Sequence, residues 1–459
     1  MRMFLCFFLF TISIGFVACS NQSASEVSPG RHSVYTHDPV DPNKTSTPVR
    51  PEVSTPIAEP NGPLTLAQVL ALTVMHNPQL KAYSLEIRAA QARQLQAGLW
   101  PNPALEVGVE DVGGSGSRSG FDAAETTIQL SQLIELGNKA QKRTHVASLE
   151  KDLAGWDYET KRLEVMAEAA KAYIELLAAQ EKTQLLAELV DVSERTLNSV
   201  AQRVEAGRDS PLEKTRASVT LSSVRMEHQQ ALQELHTARK IVASFWNSEQ
   251  PGFTQAQGQL ETVEDIPDIK DIQQVLMESP HLARWEKEIA RSRAALELEK
   301  SKAVSDVSIG AGVKRFNESD DNAVVFGIAI PLPISDRNQG ARMEAVYNLS
   351  KSHEQQRAAR IEIMNKLNRI YAELSISKIR IGELQGSVLP GAGQVFDASR
   401  EAYAEGKIDY LNVLDAQRTF FEVRLQYLEV LTQYHKARAD LDGLIGQTID
   451  SRAAITEMN

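Results

Sequence analysis

Two stretches decide how this chain is read: His76-Asn77-Pro78-Gln79-Leu80 and Glu278-Ser279-Pro280-His281-Leu282. Each places a proline just after a small polar residue and just before an apolar-patterned run. The likeness then continues at an offset of 199–202 residues. Val107-Gly108-Val109 answers to Ile309-Gly310-Ala311, and Gln132-Leu133 to Pro331-Leu332. Glu205-Ala206-Gly207, with Leu212 and Ala217, answers to Ala404-Glu405-Gly406, with Leu411 and Ala416. Solenoid units repeat every 20–50 residues or so, far more often than this. Segments 64–247 and 269–446 are therefore two copies of one large module, and the fold carries internal pseudo-symmetry.

Within each copy the hydrophobic period changes in the same order. Val69, Leu70 and Leu72 mark a first helix that Asn77-Pro78 breaks, because proline disfavours helix before itself and suits the first turn of the next one. A second helix, about 79–99, ends at Trp100-Pro101-Asn102-Pro103. Leu105, Val107 and Val109 then alternate with Glu106, Gly108 and Glu110, the mark of a two-faced strand. After a Gly/Ser loop at 113–117, Thr126, Ile128 and Leu130 alternate on the return. The second copy repeats this with Val307, Ile309, Ala311 and Val313, a polar loop at 317–322, and Val324, Phe326, Ile328 and Ile330. Two lone hairpins make no sheet that is stable by itself. Alternation over about ten residues also suits membrane-spanning strands. Duplication and export together favour a barrel shared between subunits over a small soluble β-subdomain.

A long helix follows each hairpin. Segment 137–206 has no proline, and at 1.5 Å per residue it reaches about 105 Å. Leu163, Met166, Ala170, Tyr173 and Leu177 form a 3-4 stripe, as do Phe421, Leu425, Leu428, Thr432, His435 and Ala439. This is coiled-coil packing, and a rod of that length must lie against others. Gly207-Arg208-Asp209-Ser210-Pro211 closes one helical hairpin and Gly406-Lys407-Ile408-Asp409 the other. Glycine supports the C-terminal cap, and Ser210 or Asp409 caps the returning helices, about 211–245 and 410–444. The linker 248–268 and the tail 447–459 read as polar, irregular segments that pack near the waist.

Bulk properties exclude several classes. A net charge of −11 and the lack of a basic block argue against nucleic acid. There is no Gly-rich phosphate loop, His-Glu-x-x-His or cysteine pair, so no enzyme is expected. His228 and His236, eight residues apart, are too distant to share an ion, and read as surface residues. Arg2 and the apolar run 3–18 make a signal peptide, too short to span a bilayer as a helix. Phe16-Val17-Ala18-Cys19-Ser20 resembles a bacterial lipobox, with Phe16 in place of the usual leucine, so Cys19 is expected to be lipidated. No other cofactor and no metal site is expected. Segment 19–63, with His32 and His37, reads as a polar tether.

The duplicated helix–strand–strand–helix–helix unit, with Ala97-Gly98-Leu99-Trp100-Pro101-Asn102-Pro103 and Gln132-Leu133-Ile134-Glu135-Leu136-Gly137-Asn138-Lys139, resembles the TolC-like outer-membrane efflux family over about 64–446. Those two motifs look most like the heavy-metal branch, which serves cobalt–zinc–cadmium or copper–silver export. The resemblance implies a mainly α protein with a small β part, in the bacterial outer membrane with a large periplasmic portion. It implies a homotrimer that pools four strands per subunit into a twelve-stranded transmembrane barrel, continued by a long periplasmic α-helical barrel. It also implies a passive duct for efflux, joined through a periplasmic adaptor to an inner-membrane RND pump. Gly207, Arg208, Gly406 and Lys407 would then sit at the adaptor-contacting tips. Tyr403 and Glu213 match positions that close the tip, and Asp415 matches an inward aspartate at the constriction. The family's neighbouring aspartate is Asn412 here, and an arginine of its lock falls at Ile408. Asn412 and Asp415, three apart on one helical face, both suit a pore lining. Drug or organic-solute efflux, or type I secretion, remain alternative cargoes; a soluble periplasmic coiled-coil scaffold is the alternative of another class.

Overall fold

The structure, a computed structural model, describes residues 62–446. The signal peptide 1–18, Cys19, the tether with His32 and His37, and the tail 447–459 lie outside the described residues, apart from the last two tether positions.

Each copy opens with a short helix and a longer one. After β1 (Pro63–Leu64), Thr65 caps α1 (Leu66–His76) in a reciprocal box with Gln68. Asn77 ends α1 and begins α2 (Pro78–Gly98): its side-chain oxygen accepts from the Gln79 and Leu80 amides at 2.9 and 3.2 Å. Its amide donates to the Phe245 carbonyl at 2.9 Å, tying this break to the far end of the copy. In the second copy, α5 (Ile269–Met277) and α6 (Pro280–Lys302) meet at Ser279, which is buried but makes no capping bond.

The strands are β2 (Ala104–Glu110), β3 (Glu125–Ile134), β5 (Val307–Phe316) and β6 (Asp321–Ala329). They form one antiparallel sheet in the order β2-β3-β5-β6, so the two copies join through β3–β5. The expected polar loop 317–322 is shorter in the structure: Phe316 pairs with Asp321, which leaves only 317–320 as the turn. The register sorts the side chains by face. Leu105, Leu130, Ala311 and Phe326 make one row across the sheet, and Val107, Ile128, Val313 and Val324 the next. These apolar side chains are exposed, Phe326 at 79% and Leu105 at 68%. On the opposite face lie Glu106, Glu110, Glu125, Thr127, Gln129, Ser131 and Lys314, with Lys314 placed between the carboxylates of Glu110 and Glu125. Among the described residues, the outer edges of the two border strands, β2 and β6, have no strand partner.

Beyond the sheet come the rods. α3 (Lys139–Glu205) runs 67 residues, about 100 Å, and returns as α4 (Pro211–Ser244). In the second copy, α7 (Gln339–Glu383) passes through a π-turn at Leu384–Val388 into α8 (Leu389–Ala404), and α9 (Tyr410–Ile445) returns. The second rod is thus jointed where the first is not. Pro390 lacks an N–H and its ring collides with the carbonyl one turn earlier; the widened turn absorbs both problems.

Next to the sheet the helices pack in the order α2-α3-α6-α7, matching the strands above them. Further along, α3 packs on α4 and α9, and α9 on α7 and α8. The main core lies where α1, α3, α5 and α9 meet, around Tyr173, Leu176, Trp246, Leu431, Tyr434 and Leu441. The linker, expected to be polar and to pack near the waist, contributes to it. Phe253, Ala256 and Leu260 are buried, β4 (Gln255–Ala256) pairs parallel with β1, and the Gln180 side chain bonds both backbone groups of Ala256 at 2.6 and 3.1 Å.

Candidate functional site

The two helical tips are built alike. Gly207 and Gly406 have φ of +69° and +78°, the left-handed region that a side chain would strain. Each turn is closed by a long backbone bond, Arg208 N–H to the Arg203 carbonyl at 2.9 Å and Lys407 N–H to the Ala402 carbonyl at 2.8 Å. Ser210 caps α4 through the Leu212 amide at 3.3 Å. Asp409 precedes α9 but makes no side-chain cap bond, so Ser210 alone fills the capping role expected of both.

A latch joins the tips across the two copies. The Arg203 guanidinium forks onto Asp209, Nε to Oδ2 at 2.8 Å and Nη2 to Oδ1 at 3.1 Å. Its third nitrogen, Nη1, donates to the Tyr403 carbonyl at 3.0 Å, and the guanidinium carbon sits 4.5 Å over the Tyr403 ring. The Tyr403 hydroxyl in turn donates to Asp209 Oδ2 at 2.5 Å. Val200, Ala217, Tyr410 and Val413 form a small core behind it. The Arg203 bond holds the Asp209 carboxyl below its ordinary pKa. Burial, followed by the bond to Asp209, pushes the Tyr403 phenol up.

The structure gives Tyr403 the partner Asp209. Glu213 stands apart from the latch hydrogen bonds; burial and the nearby Asp209 and Asp409 carboxylates raise its pKa. Position 408 is isoleucine, and the arginine that reaches Tyr403 and Asp209 comes from α3 as Arg203. Sequence reading missed Arg203 and passed over Asp209, because their link to Tyr403 spans some 200 positions of chain. Two mutually reaching polar residues flanking a tip glycine were the available signal. Asn412 and Asp415 are exposed on one face of α9, while Val413, Ala416 and Gln417 between and beyond them are buried. Gly207, Arg208, Gly406 and Lys407 are exposed at the turns. Among the described residues, no cluster of three or more His, Cys, Asp or Glu could hold a metal ion, and no helix is long and apolar enough to cross a membrane.

Comparison with known proteins matches residues 69–248 and 272–447 to the family described as outer membrane efflux protein. The chain belongs to that family. Its place is the outer membrane, and the family consists of efflux proteins rather than enzymes. The cobalt-zinc-cadmium resistance protein CzcC of Cupriavidus metallidurans is 34% identical over 389 residues, covering 85% of this chain and 91% of that protein. The nickel and cobalt resistance protein CnrC of the same organism is 25% identical over 305 residues, 66% of this chain and 71% of its own. Among solved structures, CusC superposes with a TM-score of 0.70 at 17% identity, covering 83% of this chain and 92% of its own. The open state of the Neisseria gonorrhoeae MtrE outer membrane channel does so with a TM-score of 0.70 at 18% identity, covering 84% and 89%. These likenesses place the fold, mainly helical with few strands, among TolC-like channels.

Proposed function

We propose that this protein is the outer-membrane exit duct of a tripartite heavy-metal efflux system, working as a homotrimer. The observation that carries the trimer is the sheet: four strands, one apolar face bare, both edges open. A bare apolar sheet with long unpaired edges is an aggregation hazard in water and a barrel segment in lipid. Three copies would close twelve strands, apolar side to lipid and Glu106, Glu110 and Glu125 to the lumen. Kinship with CzcC and CnrC, both named for metal resistance, supports divalent metal cations as cargo.

In this reading the duct is passive, and an adaptor docks at the exposed tips around Gly207, Arg208, Gly406 and Lys407 while an inner-membrane RND pump supplies the energy. The latch of Arg203, Asp209 and Tyr403 holds the tip shut at rest. Threefold copies of Asn412 and Asp415 line the constriction, where three like carboxylates repel one another and attract cations. Cys19 carries the lipid anchor. Growth of a deletion strain on zinc, cadmium, cobalt, nickel, copper and silver, with a drug panel alongside, tests the cargo. Sensitivity confined to drugs would refute the metal assignment. Heat-resistant trimers in detergent are expected of the barrel. In planar bilayers Asp415→Ala should weaken block by divalent cations, and unchanged block would remove Asp415 from the pore.

A further inference from the structure

Just below the sheet, α3 and α6 leave a groove of about 390 Å³ lined by Gln141, Lys142, His145, Ala294, Arg293 and Glu297. That volume falls within the range of small-ligand sites, about 300–1,000 Å³. Its cationic groups are poorly neutralised. Lys142 Nζ makes its hydrogen bond to the Glu297 backbone carbonyl, at 3.1 Å; the one carboxylate in the groove, Glu297, is bonded by Lys300 at 2.7 Å and shares its charge between Lys300 and Lys142. Among the described residues Arg293 has no ion-pair partner. Donors of three kinds thus converge on one cleft without a matching set of carboxylates.

The sheet fixes which way the groove faces. Glu135 follows β3 in phase with Glu125, Thr127, Gln129 and Ser131, and Asp306 precedes β5 in phase with Ser308 and Lys314, so both belong to the polar side. Glu135 takes a two-pronged bond from Arg143 at 2.7 and 3.0 Å, and Asp306 pairs with Lys139 at 2.6 Å. Positions 139 and 143 of α3 therefore turn toward the polar side. Gln141 and His145, two residues either side of Arg143, lie about 200° around the helix from it. The groove opens on the apolar side of the sheet. It also lies in the middle of the α2-α3-α6-α7 layer, away from the α2 and α7 edges that a neighbouring copy would cover.

Lys142 and His145 stand one to two turns below the start of α3, about 5–10 Å. The polar layer of a bilayer is of similar depth, about 5–8 Å per side beyond a core of about 30 Å. Trp100, 69% exposed at the α2–β2 junction, marks the same level, where aromatic side chains settle at lipid–water boundaries.

We propose that the α3–α6 groove binds the phosphodiester headgroup of an anionic phospholipid from the periplasmic leaflet, held by Lys142, His145 and Arg293. This rests on the barrel reading, which sets the apolar face toward lipid. The full-length protein in neutral detergent is titrated calorimetrically with dioctanoyl phosphatidylglycerol, dioctanoyl phosphatidylcholine and inorganic phosphate. Phosphatidylglycerol should bind at least tenfold more tightly than the other two, and Arg293→Gln and the double variant Lys142→Gln/Arg293→Gln should each lose most of that preference. Arg195→Gln, on an exposed stretch of α3 far from the groove, should keep it. Equal affinity for both lipids, or an unaltered preference in both groove variants, overturns the proposal; phosphate binding as tightly as the lipid overturns it in favour of a free-anion site. Trimer content is read in the same samples. Intact trimers without lipid preference refute the groove alone, whereas wild-type protein without trimers refutes the barrel.

Discussion

Replacing Asp209 with asparagine tests the latch most directly. The carboxylate receives the forked Arg203 bond at 2.8 and 3.1 Å and the Tyr403 hydroxyl at 2.5 Å, in a site where the two charged side chains are only 17% and 8% exposed. Bonds to charged groups contribute about 1.5–3 kcal/mol each. Asparagine keeps the shape and one acceptor oxygen, so the closed tip should lose about 2–3 kcal/mol overall. At 1.4 kcal/mol per factor of ten, that shifts the closed-to-open ratio by about 30–150-fold. The assay is single-channel recording in planar bilayers at fixed voltage and neutral pH. Asp209→Asn should open more often or to a larger conductance, and Glu213→Gln should not, since it removes a charge that Asp209 and Asp409 repel. The pH dependence has a definite sign. A carboxyl held below its ordinary pKa contributes stability above about pH 4 and loses it only as pH falls through the lowered value. The latch should therefore hold unchanged from about pH 5 to 8. An Asp209→Asn channel with wild-type opening, in verified trimers, would refute the latch as a gate.

Three further outcomes follow from packing. Lys139→Ala strands Asp306 at the helix–sheet junction, where the lysine is only 10% exposed, and should cost about 3 kcal/mol in thermal or denaturant unfolding. Gly312→Ala would set a methyl 2.4 Å from the Ile128 carbonyl oxygen and should abolish detergent-resistant trimers; Gly310→Ala meets only the movable Gln129 side chain and should keep them. Glu181, pushed up to about 7 by burial and then by Glu261, binds its proton more tightly folded than unfolded. Stability should accordingly fall as pH rises from 4.5 to about 7 and level off above, and Glu181→Gln should flatten that slope in melting scans.

Much of this architecture was legible in the sequence because it is periodic. Proline positions marked the α1–α2 and α5–α6 breaks, alternation marked the strands, and glycine after an unbroken apolar stripe marked both tips. Contacts between distant segments left no such trace. Pairing of β3 with β5, the forked bond of Arg203 and the Lys139–Asp306 ion pair each depend on where separate elements come to rest. The π-turn had a local cue in Pro390, but proline near a helix middle more often signals a break than a widened turn. In the linker, three buried apolar residues among polar neighbours were too few to show a period, although Phe253, Ala256 and Leu260 anchor it firmly.

Consider finally that each copy supplies one hairpin, so the chain carries an even number of alternating strands. Its two free borders therefore run in opposite directions, and in the proposed barrel the last strand of one molecule would meet the first of the next in antiparallel fashion. Hydrogen bonding around the rim is indifferent to whether three long polypeptides or six half-length ones complete the circle. In that barrel the number of copies would be set further down, by the angle at which neighbouring rods nestle. Substitutions along α2 and α7, the edges of the helical layer, are where a ring of the wrong size would originate.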